Sequence, residues 1–133
     1  MKKLISILVI IASIYGCKKG DNEIPKFKSG TFKGEKTIYY SDTQYESSDT
    51  ITIKFDSTSY TYSGSDPLDF GRGKYLIQNS SIEFKDDEAR IALYSWEWIL
   101  GGVYKFQIID DQMILNQNGS HFQISCRLRK IPE

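Results

Sequence analysis

This chain has little of what catalytic and metal sites are made from. One histidine, His121, and two cysteines, Cys17 and Cys126, stand among 133 residues. No paired-cysteine spacing, zinc pattern or nucleophile elbow occurs. The stretch Gly71-Arg72-Gly73-Lys74 lacks the spacing and the following helix of a phosphate loop. Asp86-Asp87-Glu88 lacks the alternating oxygen ligands and turn glycine of a calcium loop and reads as a polar hairpin tip. His121 follows an Asn-Gly pair and has no partner at a motif spacing, so it reads as a solvated turn residue. The sequence therefore predicts no enzyme, no catalytic residue, no metal and no cofactor. Formal net charge is zero, which argues against nucleic acid, a partner that calls for a basic stripe. Long apolar runs are missing too. The one candidate, residues 4–14, is shorter than the roughly 17–25 residues of a membrane-spanning helix.

That short run has a context. Lys2 and Lys3 precede it, and Ile14-Tyr15-Gly16-Cys17 follows. A charged start, an apolar stretch of this length and a small residue before a cut describe a secretory signal peptide. Cysteine directly after Gly16 resembles the lipobox of bacterial lipoproteins, with Tyr15 standing where a small residue is usual. The resemblance implies cleavage after residue 16, a diacylglyceryl thioether on Cys17 and acylation of its new amine. Two or three acyl chains hold a protein on a membrane stably, where one does not. With Cys17 used for lipid, Cys126 is left alone inside an apolar alternation and reads as a small buried hydrophobe. Residues 17–28 are polar and without period, and are expected to be a flexible tether. Within it, Lys19, Asp21 and Glu23 resemble in part the surface-export signals of Bacteroidota lipoproteins. A bacterial cell-envelope location follows, at the outer membrane, with the periplasmic or surface face open.

From residue 29 to 133 the period is two. Ile51, Ile53 and Phe55 alternate with Thr50, Thr52 and Lys54. Tyr60 and Tyr62, Tyr75 and Ile77, Ile82 and Phe84, Ile91 and Leu93, and Tyr104, Phe106 and Ile108 continue the pattern. Phe122, Ile124, Cys126 and Leu128 oppose Gln123, Ser125, Arg127 and Arg129 in the last segment. Strict alternation means one wet and one buried face, as in antiparallel sheets. Turns are expected at 56–58 and 110–112, a tight hairpin at Asn118-Gly119, and a loop over 63–73 where glycine and proline cluster. Trp96 and Trp98 share one face if their segment is extended. Eight or nine short strands in hairpin succession predict an all-β, antiparallel up-and-down barrel, since closure removes exposed edges.

The domain resembles the small lipocalin-like lipoproteins of Bacteroidota. The resemblance rests on the Gly30-Thr31-Phe32 start of the first strand, the tryptophan segment before a late hairpin, and an arginine, Arg127 or Arg129, on the closing strand. It implies that Arg127 or Arg129 packs over Phe32 and closes one barrel end, with Phe32 in the place of the family's Trp. It also implies a pocket for a small apolar or amphipathic molecule, with Phe32, Tyr60, Tyr62, Trp96, Trp98 and Phe106 as candidate lining. Aromatic side chains beyond those a small core needs point the same way. The alternative is an envelope interaction or structural protein that contacts a partner protein or surface glycan through an outer patch or the 63–73 loop. Asp49-Thr50-Ile51 and Asp56-Ser57-Thr58 resemble O-glycosylation sites of Bacteroidota secreted proteins.

Overall fold

The computed structural model describes residues 27, 29–89, 97 and 99–132. Within them the alternation is realised as eight strands: β1 (Gly30–Tyr40), β2 (Tyr45–Phe55), β3 (Ser59–Ser63), β4 (Phe70–Gln78), β5 (Ser81–Asp86), β6 (Gly102–Ile109), β7 (Gln112–Asn118) and β8 (Phe122–Lys130). Each strand pairs antiparallel with the next, and β1 also pairs with β8, so the sheet closes on itself as an up-and-down barrel. Closure gives every strand a neighbour on both sides, although β2 pairs with β3 only over Thr52–Phe55.

The period-two pattern decides what lies inside. Phe32 and Ile38 of β1, Ile51, Ile53 and Phe55 of β2, and Ile124, Cys126 and Leu128 of β8 are all buried, while Lys33, Glu35, Gln123, Arg127 and Arg129 are exposed. Register lines up these inward residues: Phe32 faces Ile53, Gly34 faces Ile51 and Leu128, and Ile38 faces Ile124. Successive strands run in opposite senses, so the connections fall into two sets. The turns 56–58, 79–80 and 110–111 lie at one end, the floor, with Phe27 and the last residues. The connections 41–44, 64–69 and 119–121, with 87–89 and 99–101 at the ends of β5 and β6, lie at the other end, the mouth. Ser41 N donates to His121 O across the mouth at 3.0 Å.

Three expectations are corrected. The 63–73 loop is shorter, because β4 begins at Phe70 and takes Gly71 and Gly73 into the sheet. Gly73 is there for close approach: a Cβ on it would collide with the Lys85 carbonyl of β5. The Asn118-Gly119 pair does not make a two-residue turn with positive φ. Asn118 ends β7, residues 119–121 form the connection, and Gly119 N donates to Phe122 O at 2.8 Å. Positive φ falls instead at Asn79 (53°) and Asp110 (56°), in the two-residue turns at the floor. Finally, Phe27, placed in the tether by sequence, packs on the barrel floor. Its ring meets those of Phe55 at 4.9 Å, Tyr75 at 5.5 Å, Phe106 at 5.9 Å and Phe32 at 6.3 Å. The strand expected around Ile91 and Leu93 lies outside the described residues.

Candidate functional site at the barrel mouth

Four of the six expected ligand-lining residues, Phe32, Tyr60, Tyr62 and Phe106, are buried members of one continuous core. Tyr60 stacks near Tyr62 at 6.4 Å and meets Phe84 edge-on at 4.9 Å, and Phe32 meets Phe55 at 5.8 Å. The Tyr60 hydroxyl donates to the carbonyl of Leu100 at 3.0 Å, which ties the mouth connection down into the barrel. These rings fill interior space against one another. Trp96, Trp98 and Cys17 lie outside the described residues.

Arg127 and Arg129 do not pack over Phe32. They stand on the outer face of β8, opposite in phase to Cys126 and Leu128, whereas Phe32 points inward. Lys130 occupies the ladder position facing Phe32, and its ammonium donates to the carbonyl of Ser29 at 3.0 Å. A lysine stem, laid against Gly30, is thus the cation at this end.

The mouth offers the space. A depression of about 410 Å³ is lined by Asp86, Glu97, Ile99, Gly101, Gly102, Gln117 and Phe122. Ile99 and Phe122 give it apolar wall, and two carboxyl groups and an amide give it a polar rim. The Gln117 amide nitrogen donates to the carbonyl of Gly101 at 3.1 Å and fixes the last turn of the connection above β6. Gly102 carries a positive φ of 82°, which lets the chain fold back into the strand. Size and mixed lining suit a small molecule with apolar and polar parts.

Beneath the mouth lies a polar cluster the sequence reading passed over. Lys36 is 1% exposed and Asp69 3% exposed. Lys36 sits in register with Cys126 of β8 and Asp49 of β2. Burial lowers the pKa of its ammonium, while Asp69, Cys126 and Asp49 pull it back up. Burial pushes the Cys126 thiol up to about 12, so it is a neutral core group. The Tyr104 hydroxyl, also buried, has no hydrogen-bond partner among the described residues, and burial raises its pKa well above the usual value. The signal for Lys36 and Asp49 was present: both fall on the inward phase of their strands. Asp69 lies on a loop, where no period exists to place it.

Several polar groups pair locally. His121 Nδ1 lies 2.9 Å from a carboxylate oxygen of Asp42, and both side chains are exposed. Asp86 accepts from Glu88 N at 3.1 Å, and Glu88 pairs with Arg72 at 2.9 Å. Thr50, Ser57 and Thr58 of the two glycosylation-like tripeptides are exposed. Among the described residues no cluster of three or more His, Cys, Asp or Glu is arranged to hold a metal.

No family model and no curated protein matches this chain. The fold is similar to that in the crystal structure of an uncharacterised protein from Bacteroides eggerthii. The TM-score is 0.53 and sequence identity 15%, over 77% of this chain and 98% of that one. At that identity the likeness speaks for the fold alone.

Proposed function

We propose that this chain is a lipid-anchored, lipocalin-like lipoprotein of the bacterial envelope that binds a small amphipathic molecule at the barrel mouth without catalysis. One observation carries the binding reading: the depression of about 410 Å³ with mixed lining where the mouth connections converge. The binding surface moves accordingly from the deep rings Phe32, Tyr60, Tyr62 and Phe106 to the rim formed by Ile99, Gln117 and Phe122. The anchor reading is supported by the sequence of residues 2–17, with Lys19, Asp21 and Glu23 after it. Acyl chains on Cys17 would hold the barrel to the membrane and free the mouth to face solvent.

The test uses the full chain expressed in a bacterial host. Metabolic labelling with an alkyne fatty acid is expected to mark the wild type and not Cys17→Ser. The neutral probe N-phenyl-1-naphthylamine is expected to bind saturably. Gly101→Leu should weaken that binding at least tenfold by filling the depression. Among the described residues, a Cβ at Gly101 comes within 4 Å of Ile99 Cγ2 alone, at an ordinary contact distance of 3.9 Å, so the first atom of the new side chain has room. Unchanged probe binding in Gly101→Leu would remove the mouth as the site.

A second reading, contact with an envelope partner, draws on exposed apolar side chains. Leu68 and Phe70 are exposed beside the 64–69 connection. On the outer face Leu76 and Val103 flank Glu83 across β4, β5 and β6. Crosslinking in intact cells through a photoreactive residue at Val103 distinguishes the readings: a discrete heavier adduct favours a protein partner.

A further inference from the structure

The β3–β4 connection, residues 64–69, closes one side of the mouth on a pair of carboxyl groups. Asp49 accepts from the backbone nitrogens of Thr50 at 2.7 Å and Ser65 at 3.1 Å, and from the Ser65 hydroxyl. Burial works against its charge, but the bonds from Ser65 and Thr50, together with Asp69 as a donor, outweigh burial and set its pKa below the ordinary value. Asp69, at the other end of the connection, is the opposite case. Its backbone carbonyl receives Gly64 N at 2.5 Å, which pinches the loop shut. Neither oxygen of its buried carboxyl receives a hydrogen bond from a described donor. Oδ2 of Asp69 and Oδ2 of Asp49 crowd the same point beside Gly64, where a Cβ would collide with both. Glycine at 64 is what allows the two carboxyls to approach.

One carboxyl rich in donors and one with none, side by side, fit a single shared proton. The titratable groups around Asp69 are Lys36 from β1, Asp49 from β2, Cys126 from β8 and Asp66 from its own loop. Burial raises the Asp69 pKa most, Lys36 opposes it, and Asp49 and Asp66 add to it, to about 6. We propose that the Asp49–Asp69 pair is a proton-operated latch on the β3–β4 connection: a protonated Asp69 donating to ionised Asp49 holds the loop down, and ionisation of both loosens it from the mouth. This goes beyond ligand binding and does not depend on it.

The sign follows from proton counting. The closed loop raises the Asp69 pKa above its value in an open, solvated loop, so closing takes up a proton between the two values. Closure is therefore strongest at low pH and is progressively lost as pH rises through about 6. Linkage with an open-state value near 4 gives about a tenfold fall in loop closure between pH 5 and pH 7.5.

Amide hydrogen exchange of the full chain, with no ligand added and corrected for intrinsic rates, reads this directly at Gly64, Ser65 and Asp69. Protection of these three amides is expected to drop about tenfold from pH 5 to pH 7.5, while amides of β1 and β8 hold theirs. In Asp69→Asn the side-chain amide donates to Asp49 at every pH, so protection should stay high and flat. Carbon-detected titration of the wild-type Asp69 carboxyl should give a midpoint near 6 that coincides with the change in protection. Flat protection in the wild type, an Asp69 midpoint near 4, or an unchanged pH response in Asp69→Asn would each overturn the latch. None of these readouts involves the mouth ligand, so failure of the binding reading leaves them intact.

Discussion

Cys126 shows how a residue's meaning is set by its strand phase. It alternates with Ser125 and Arg127, lies fully inside the barrel, and its thiol is held neutral by burial. A neutral, enclosed thiol is a poor nucleophile. A maleimide at pH 7.5 is therefore expected to leave Cys126 unmodified in the folded domain over hours and to label it within minutes in guanidinium, as mass spectrometry would read. Rapid labelling under native conditions would mean that β7 and β8 separate. The same phase argument makes Lys36 legible: counting by twos from Phe32 through Gly34 reaches it before Ile38. Its charge hid it, because charged residues are expected outside. Asp69 was beyond such counting, since its burial arises from a loop folding inward.

At the scale of elements, the alternation at Ile51–Phe55, Tyr104–Ile108 and Phe122–Leu128 falls within β2, β6 and β8, and the reading erred where glycine has two meanings. Gly71 and Gly73 look like loop residues beside Gly64 and Pro67. In the barrel they are strand residues facing Tyr62 and Tyr60 of β3, and their lack of side chains leaves interior room for those rings. Nothing local distinguishes a glycine that turns a chain from one that lets another backbone or a ring come near. The distinction predicts a cost. Gly73→Ala puts a Cβ against the backbone carbonyl of Lys85, which cannot swing away as a side chain would. Strand β4 must shift or lose ladder bonds to β5, and destabilisation of about 2–4 kcal/mol is expected, in the range of core overpacking and strain. Urea denaturation followed by tyrosine fluorescence measures it. A loss under about half a kcal/mol would show that β4 and β5 separate more easily than their register implies.

For the whole molecule, closure joins β1 to β8 as well as to β2, so β1 offers no free edge to the residues described just before it. Phe27 docks. It caps the aromatic floor formed by Phe32, Phe55, Tyr75 and Phe106, three residues before β1 begins. This makes Phe27 part of the folded body in energetic terms, although its sequence neighbours Lys26 and Lys28 read as linker. Phe27→Ala removes an incompletely buried ring from four aromatic neighbours. Full burial would cost about 3–5 kcal/mol to lose, and partial exposure brings the expected loss to about 2 kcal/mol. Phe27→Leu should recover roughly half of that by keeping apolar contact without the edge-on ring geometry. Both variants leave residues 2–17 untouched, so fatty-acid labelling at Cys17 should be unchanged while the thermal midpoint drops by several degrees. If Phe27→Ala melts with the wild type, the floor is closed by the barrel's own rings, and residue 27 belongs to the tether after all.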